Sequence, residues 1–103
     1  MRVYQQISTT GLHGTWTNAH AVNDINTEGP ASFWDNAVDT EAHLLLDYFS
    51  TNSGYKPLST GSWQGGVEGG VWTDETNTTP PGLRHGSVLS LTQTQWNALQ
   101  VAY

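Results

Sequence analysis

Residues 32–54 read SFWDNAVDTEAHLLLDYFSTNSG, and the reading of this stretch decides the fold. Ser32 stands three residues before Asp35, just after Pro30, the pattern of a capping box that opens a helix. Trp34, Val38, Ala42, Leu45 and Phe49 then recur at three-to-four spacing, which predicts one apolar helix face running to about Phe49. Gly54 suits a left-handed terminator, with Pro57 beyond it. A competing reading makes AHLLLDYF a buried strand, because three consecutive leucines fit either element. The cap and the length favour the helix.

Working outward, RVYQQIS places Val3, Gln5 and Ile7 on one parity and Tyr4 and Gln6 on the other, the pattern of a short strand. Residues 1–8 are thus an edge strand or an arm that pairs with a neighbour. Gly11 to Gly14 offers a turn, TWT favours strand, and NDINTEGP reads as loop. Towards the C-terminus, GSVLSL predicts a strand, and Thr92 with Gln95 forms a second capping box ahead of the helix in WNALQVAY. Trp96, Leu99 and Tyr103 would share one helix face and close over a sheet. Between these elements, 59–86 is a glycine-rich loop region ending in TDETNTTPPGLRHG. The expected fold is α+β over a single domain, 1–103: a small, mainly antiparallel sheet with one central and one C-terminal helix.

Composition bounds the function. The 103 residues carry nine acids against Arg2, Lys56 and Arg84, a formal charge of −6, so no basic stripe exists to neutralise a phosphate backbone. Direct nucleic-acid binding is not expected. Charged residues are only 12% of the chain, which is otherwise rich in Thr, Ser, Asn, Gln and Gly and holds five tryptophans. Without cysteine there is no disulfide, thiolate metal site or thiol nucleophile. MRVYQQIS lacks the pattern of a secretory leader, and no apolar run approaches membrane-spanning length.

Candidate chemistry is sparse. Asp35, Asp39, His43 and Asp47 fall at four-residue steps, so a helix would line them on one stripe able to hold a divalent metal. A solvated polar face explains the same spacing, with His43 paired to Asp39 or Asp47. His13, His20 and His85 show no ligand spacing and read as surface or hydrogen-bonding residues. No GxSxG elbow supports a Ser-His-Asp triad, and adjacent Asp74 and Glu75 would diverge on a strand. The glycine-rich run has no lysine and carries Glu68, unlike a phosphate loop, and Asn77-Thr78-Thr79 matches a glycosylation sequon. No catalytic residue, metal or cofactor is assigned.

GSWQGGVEGGVW, residues 61–72, flanks glycines with Trp63 and Trp72. These aromatics suit core plugs, anchors in a protein interface, or platforms that stack on sugar rings. Core or interface is the stronger reading, with the glycines letting one subunit's backbone lie against another's. The contact residues on this reading are Tyr4, Trp63, Val67, Val71 and Trp72, and Trp63 and Trp72 are the sugar-binding pair of the alternative.

The closing GSVLSLTQTQWNALQ resembles the tails of small structural proteins of tailed bacteriophages, where G-x-V-L-x-L-T-x-x-Q precedes a short helix. Few charges, much Thr, Asn and Gly, and no Cys are similar to virion proteins too. The resemblance implies a head-decoration, head-tail or fibre-associated component, made in the host cytoplasm and located in the virion. A capsid decoration or cement protein is the leading expectation. It would form a homo-oligomer and contact the major capsid protein or other virion proteins, with no enzymatic role, no nucleic acid and no membrane. The rivals are a carbohydrate-binding tail-fibre or receptor-binding module, an acidic inhibitor of a host protein, and a metal-dependent enzyme on the aspartate stripe.

Overall fold

A computed structural model describes residues 1–75, 79–80 and 82–102, with the side chains of residues 63 and 64 set aside. Two antiparallel sheets carry the fold. Strands β1 (Tyr4–Ile7) and β2 (Thr17–Ala21) form a ribbon in which Gln5 faces His20. The strand expected near the N-terminus is therefore present, and it pairs within its own chain. Gly14 N donates to Gly11 O at 3.0 Å, closing the expected turn between them.

Strands β3 (Glu28–Trp34), β4 (Ala42–Asp47), β5 (Tyr55–Thr60) and β6 (Thr73–Asp74) follow in sequence order in a four-stranded sheet. Antiparallel sheets and a C-terminal helix, α1 (Gln93–Ala102), make the chain a small α+β protein. Among the described residues, helical structure in the middle of the chain is limited to a 3-10 turn, Phe49–Thr51, and a π-helical turn, Trp63–Glu68. The helix expected from Ser32 to Phe49 is instead the β3–β4 hairpin, with Trp34 opposite Ala42 and Ala31 opposite Leu45.

The capping signal was real but belongs to a turn. Asp35 Oδ1 accepts from Ala37 N at 2.6 Å and Val38 N at 2.7 Å, and Asp35 N donates to Glu41 O at 2.9 Å. An aspartate binding amides two and three residues on does the same work at a helix start and in an Asx turn. Long-range pairing decides between the two. Once Leu44 faces Leu58 and Leu46 faces Lys56 on β5, the leucines split by strand parity.

Ala42, Leu44 and Leu46 point to one face of β4, and His43, Leu45 and Asp47 to the other. Leu44, Leu46, Leu58 and Tyr48 form the core, with Val3, Val22 and Trp72 packed against it. Each fully buried leucine contributes about 1.5–3 kcal/mol. The ribbon thus covers part of the first sheet face. TNSG ends no helix: it closes the β4–β5 connection, where a short 3-10 turn (Phe49–Thr51) leads into Asn52 at φ 53°.

The second capping box is formed as expected. Thr92 Oγ1 accepts from Gln95 N at 3.3 Å, and Gln95 Oε1 accepts from Thr92 N at 2.8 Å. Two expectations nearby fail. Residues 86–91 form no strand, and α1 buries none of its described residues, so Trp96 and Leu99 do not close over a sheet. Tyr103 lies outside the described residues, as does the sequon Asn77.

Candidate functional site

A groove of about 440 Å³ lies beside the four-stranded sheet. Pro30, Ser32 and Trp34 alternate along the outer strand β3 with their side chains exposed, and β4 adds Ala42 and Leu44 to the lining. Tyr4, Gln5 and Gln6 of β1 line it as well, together with Val67 and Trp72. Phe33 and His43 line it too, and among the described residues no Asp, Glu, Lys or Arg does. In a chain of charge −6, that makes a mostly apolar surface.

The expected contact residues converge here in part. Tyr4, Val67 and Trp72 line the groove, while Val71 is exposed and does not line it, and the side chain of Trp63 lies outside the described set. Trp72 also packs against the core and donates its indole N–H to Gln5 Oε1 at 2.8 Å, joining the glycine-rich segment to β1. The glycines serve packing inside the chain. A Cβ on Gly66 would fall on the Thr60 side chain, and one on Gly70, at φ +69°, would fall on the His20 ring. Trp34 and Pro30 are among the lining residues that the sequence reading does not mark. It places both in a helix and its approach, and only strand parity turns them to one face.

The four-step stripe of Asp35, Asp39, His43 and Asp47 does not survive as a unit. His43 Nε2 meets Asp35 Oδ2 at 3.3 Å across the β3–β4 hairpin and stacks on Phe33 at 5.0 Å. It pairs with neither Asp39 nor Asp47 as first expected. Glu41 at 3.9 Å and Glu75 at 4.0 Å complete an acidic surround. Two backbone amides, more than His43, hold the Asp35 carboxyl below its usual range. Ligand atoms of Glu41, His43 and Glu75 lie within 4.8 Å of one another and could hold a cation, as could those of Glu28, Asp47 and His85.

In the second group a cation is already supplied by the protein. Asp47 is fully buried, and its Oδ2 accepts from Arg84 Nε at 2.8 Å, a bond that raises the guanidinium pKa further. Arg84 also approaches Glu28 at 3.5 Å, and His85 approaches both acids at 3.3 Å. Asp47 Oδ1 has no hydrogen-bond partner among the described residues. The carboxylate thus meets Arg84, 37 residues away, and the neighbouring His85, a pairing no local motif announces. With Arg2 on Asp24 at 3.3 Å, six of the nine acids stand beside a basic side chain.

Tyr55 fixes where the C-terminal segment departs. Its hydroxyl donates to Gly29 O at 2.7 Å and accepts from Gly86 N at 2.6 Å, and its backbone N donates to Leu83 O at 2.8 Å. From Gly86 the chain runs out with Leu89 81% exposed, and Ser90 Oγ donates to Asn36 Oδ1 at 3.3 Å. Along 86–102 there is no charged residue. Comparison with protein families, curated proteins and solved structures finds no match to this chain.

Proposed function

We propose that this chain is a non-enzymatic assembly protein, which works by burying apolar surface against other protein subunits. The observation that carries the reading is the pair of mostly apolar surfaces, the groove and the C-terminal segment. Tyr4, Trp34, Val71, Leu89, Trp96, Leu99 and Val101 are all at least 43% exposed. Apolar residues concentrated on such surfaces mark interaction sites, and aromatic side chains are the usual anchors of protein interfaces. Acids gathered beside Arg2, Arg84, His43 and His85 support a charge-mimicking inhibitor less well, since that role needs a coherent acidic face.

The finer reading is a virion structural protein, a decoration or cement subunit of a tailed phage that binds the major capsid protein. It rests on the sequence of residues 86–100. Light scattering on the purified full chain tests the broader reading: a discrete oligomer is expected, and a strict monomer that also fails to bind capsid shells counts against it. A second reading is favoured by Tyr4 and Trp34 beside Gln5 and Gln6, aromatic platforms with neutral hydrogen-bonding groups that suit a neutral glycan. Tryptophan fluorescence that stays unchanged through titration with neutral host polysaccharide removes it.

A further inference from the structure

Asp47 is fully buried at the end of β4, and its surroundings answer only one of its two oxygens. Oδ2 accepts from Arg84 Nε at 2.8 Å, while Oδ1 has no hydrogen-bond partner among the described residues. Taking a carboxylate out of water is costly unless both oxygens are engaged, so an orphan oxygen at full burial points to a ligand of its own. Two further side chains face the same carboxylate. His85 Nε2 lies 3.3 Å from Asp47 Oδ2 and 3.3 Å from Glu28 Oε1. Gly29 seats the imidazole: a Cβ there would stand 2.7 Å from His85 Nδ1, so Nδ1 packs on backbone and Nε2 is left for the acids. Arg84 spans the same two acids, with Nη2 3.5 Å from Glu28 Oε1, yet its side chain is 52% exposed. One guanidinium against two carboxylates leaves a net negative charge.

We propose that Glu28, Asp47 and His85 form a site for a divalent transition ion of the zinc class, for which Arg84 is the protein's own competitor. Zinc about 2.0–2.2 Å from each of four ligands holds them roughly 3.3–3.5 Å apart, and the two 3.3 Å separations around His85 Nε2 match that edge. The donor set suits the ion, since imidazole favours zinc over calcium or magnesium. Glu28 and His85 are 26% and 56% exposed, which gives the ion an entry path and leaves its fourth position to water. Arg84 swings into solvent as the ion enters, so one positive charge is exchanged for two. The effect is a staple. The ligands come from the start of β3, the end of β4 and the segment 82–86 that runs into the C-terminal arm. In a chain without cysteine, such a clip does what a disulfide would do elsewhere. The site needs no second subunit and stands independently of the assembly reading.

Calorimetric titration of the full chain with zinc, compared for wild type, Arg84→Met, His85→Gln and His43→Gln, tests the site. Arg84→Met removes the competitor and should bind one zinc about tenfold or more tighter than wild type. Zinc, but not magnesium, should also restore the urea midpoint that Arg84→Met loses. His85→Gln should abolish binding in either background, whereas His43→Gln, in the separate cluster with Glu41 and Glu75, should leave it unchanged. Zinc bound no more tightly by Arg84→Met than by wild type overturns the site. So does binding that survives His85→Gln or disappears with His43→Gln. If Arg84→Met does not fold on its own, circular dichroism decides: folding on addition of zinc supports the site, and a chain that stays unfolded with zinc overturns it.

Discussion

Leu46 and Leu99 are the same residue type put to opposite uses. Leu46 is fully buried between β3 and β5, whereas Leu99 stands 43% exposed on a helix that buries nothing. The difference is one of closure: β4 has pairing strands on both sides and the ribbon over one face, while α1 has only its own cap and backbone bonds. A short isolated helix is marginal in water, so a ten-residue segment with exposed Trp96 gains most from a surface supplied by another molecule. Stability is concentrated in the sheets, and binding capacity in what the sheets leave uncovered.

The sharpest way to break that contrast is Leu46→Ala. The substitution empties a site with no solvent access and should cost about 2–5 kcal/mol, read from the urea midpoint of the full chain. A small loss would mean that the core is looser than its packing indicates. Next in size stands Arg84→Met, which leaves the buried Asp47 carboxylate with only His85 beside it. The urea midpoint should fall clearly, and by much more than for Arg2→Met, whose partner Asp24 is 96% exposed. Equal effects would show that Arg84 does not hold the loop to the sheet.

Asp35→Asn is a smaller and pH-dependent change. The Asp35 pKa is lowered in the fold, first by the Ala37 and Val38 amides, so its ionised form adds stability above the unfolded value of 3.8. That contribution disappears as pH falls through the lower folded value. Wild type and Asp35→Asn should therefore differ at pH 6 and converge towards pH 2.5, in paired urea titrations. A gap that is constant with pH would place the effect in geometry instead of charge. Smallest of all, Trp96→Ala should leave the unfolding of the dilute chain within about 0.5 kcal/mol of wild type, because α1 buries none of its described residues. A larger drop at low concentration would show that the arm belongs to the body after all.

Local chemistry was legible wherever one side chain met a nearby amide. Thr92 and Gln95 cap α1 as their spacing required, the turn between Gly11 and Gly14 closes, and Val3, Gln5 and Ile7 share a strand face that meets Trp72 and the core. Asp35 was also recognised as a cap, yet the same bonds start a helix or tighten a hairpin. Its neighbours Trp34, Ala42 and Leu45 fit a helical stripe as well as a pleat. The sequence by itself determined the caps, the turns and the uncharged C-terminal segment, since these depend on composition and on contacts a few residues long. Only the tertiary structure decided that 32–49 is a hairpin, that Asp47 meets Arg84, and that Pro30, Trp34 and Tyr4 share a groove. Those outcomes depend on which strand pairs with which, and the energy of that pairing is spread over residues far apart in the chain.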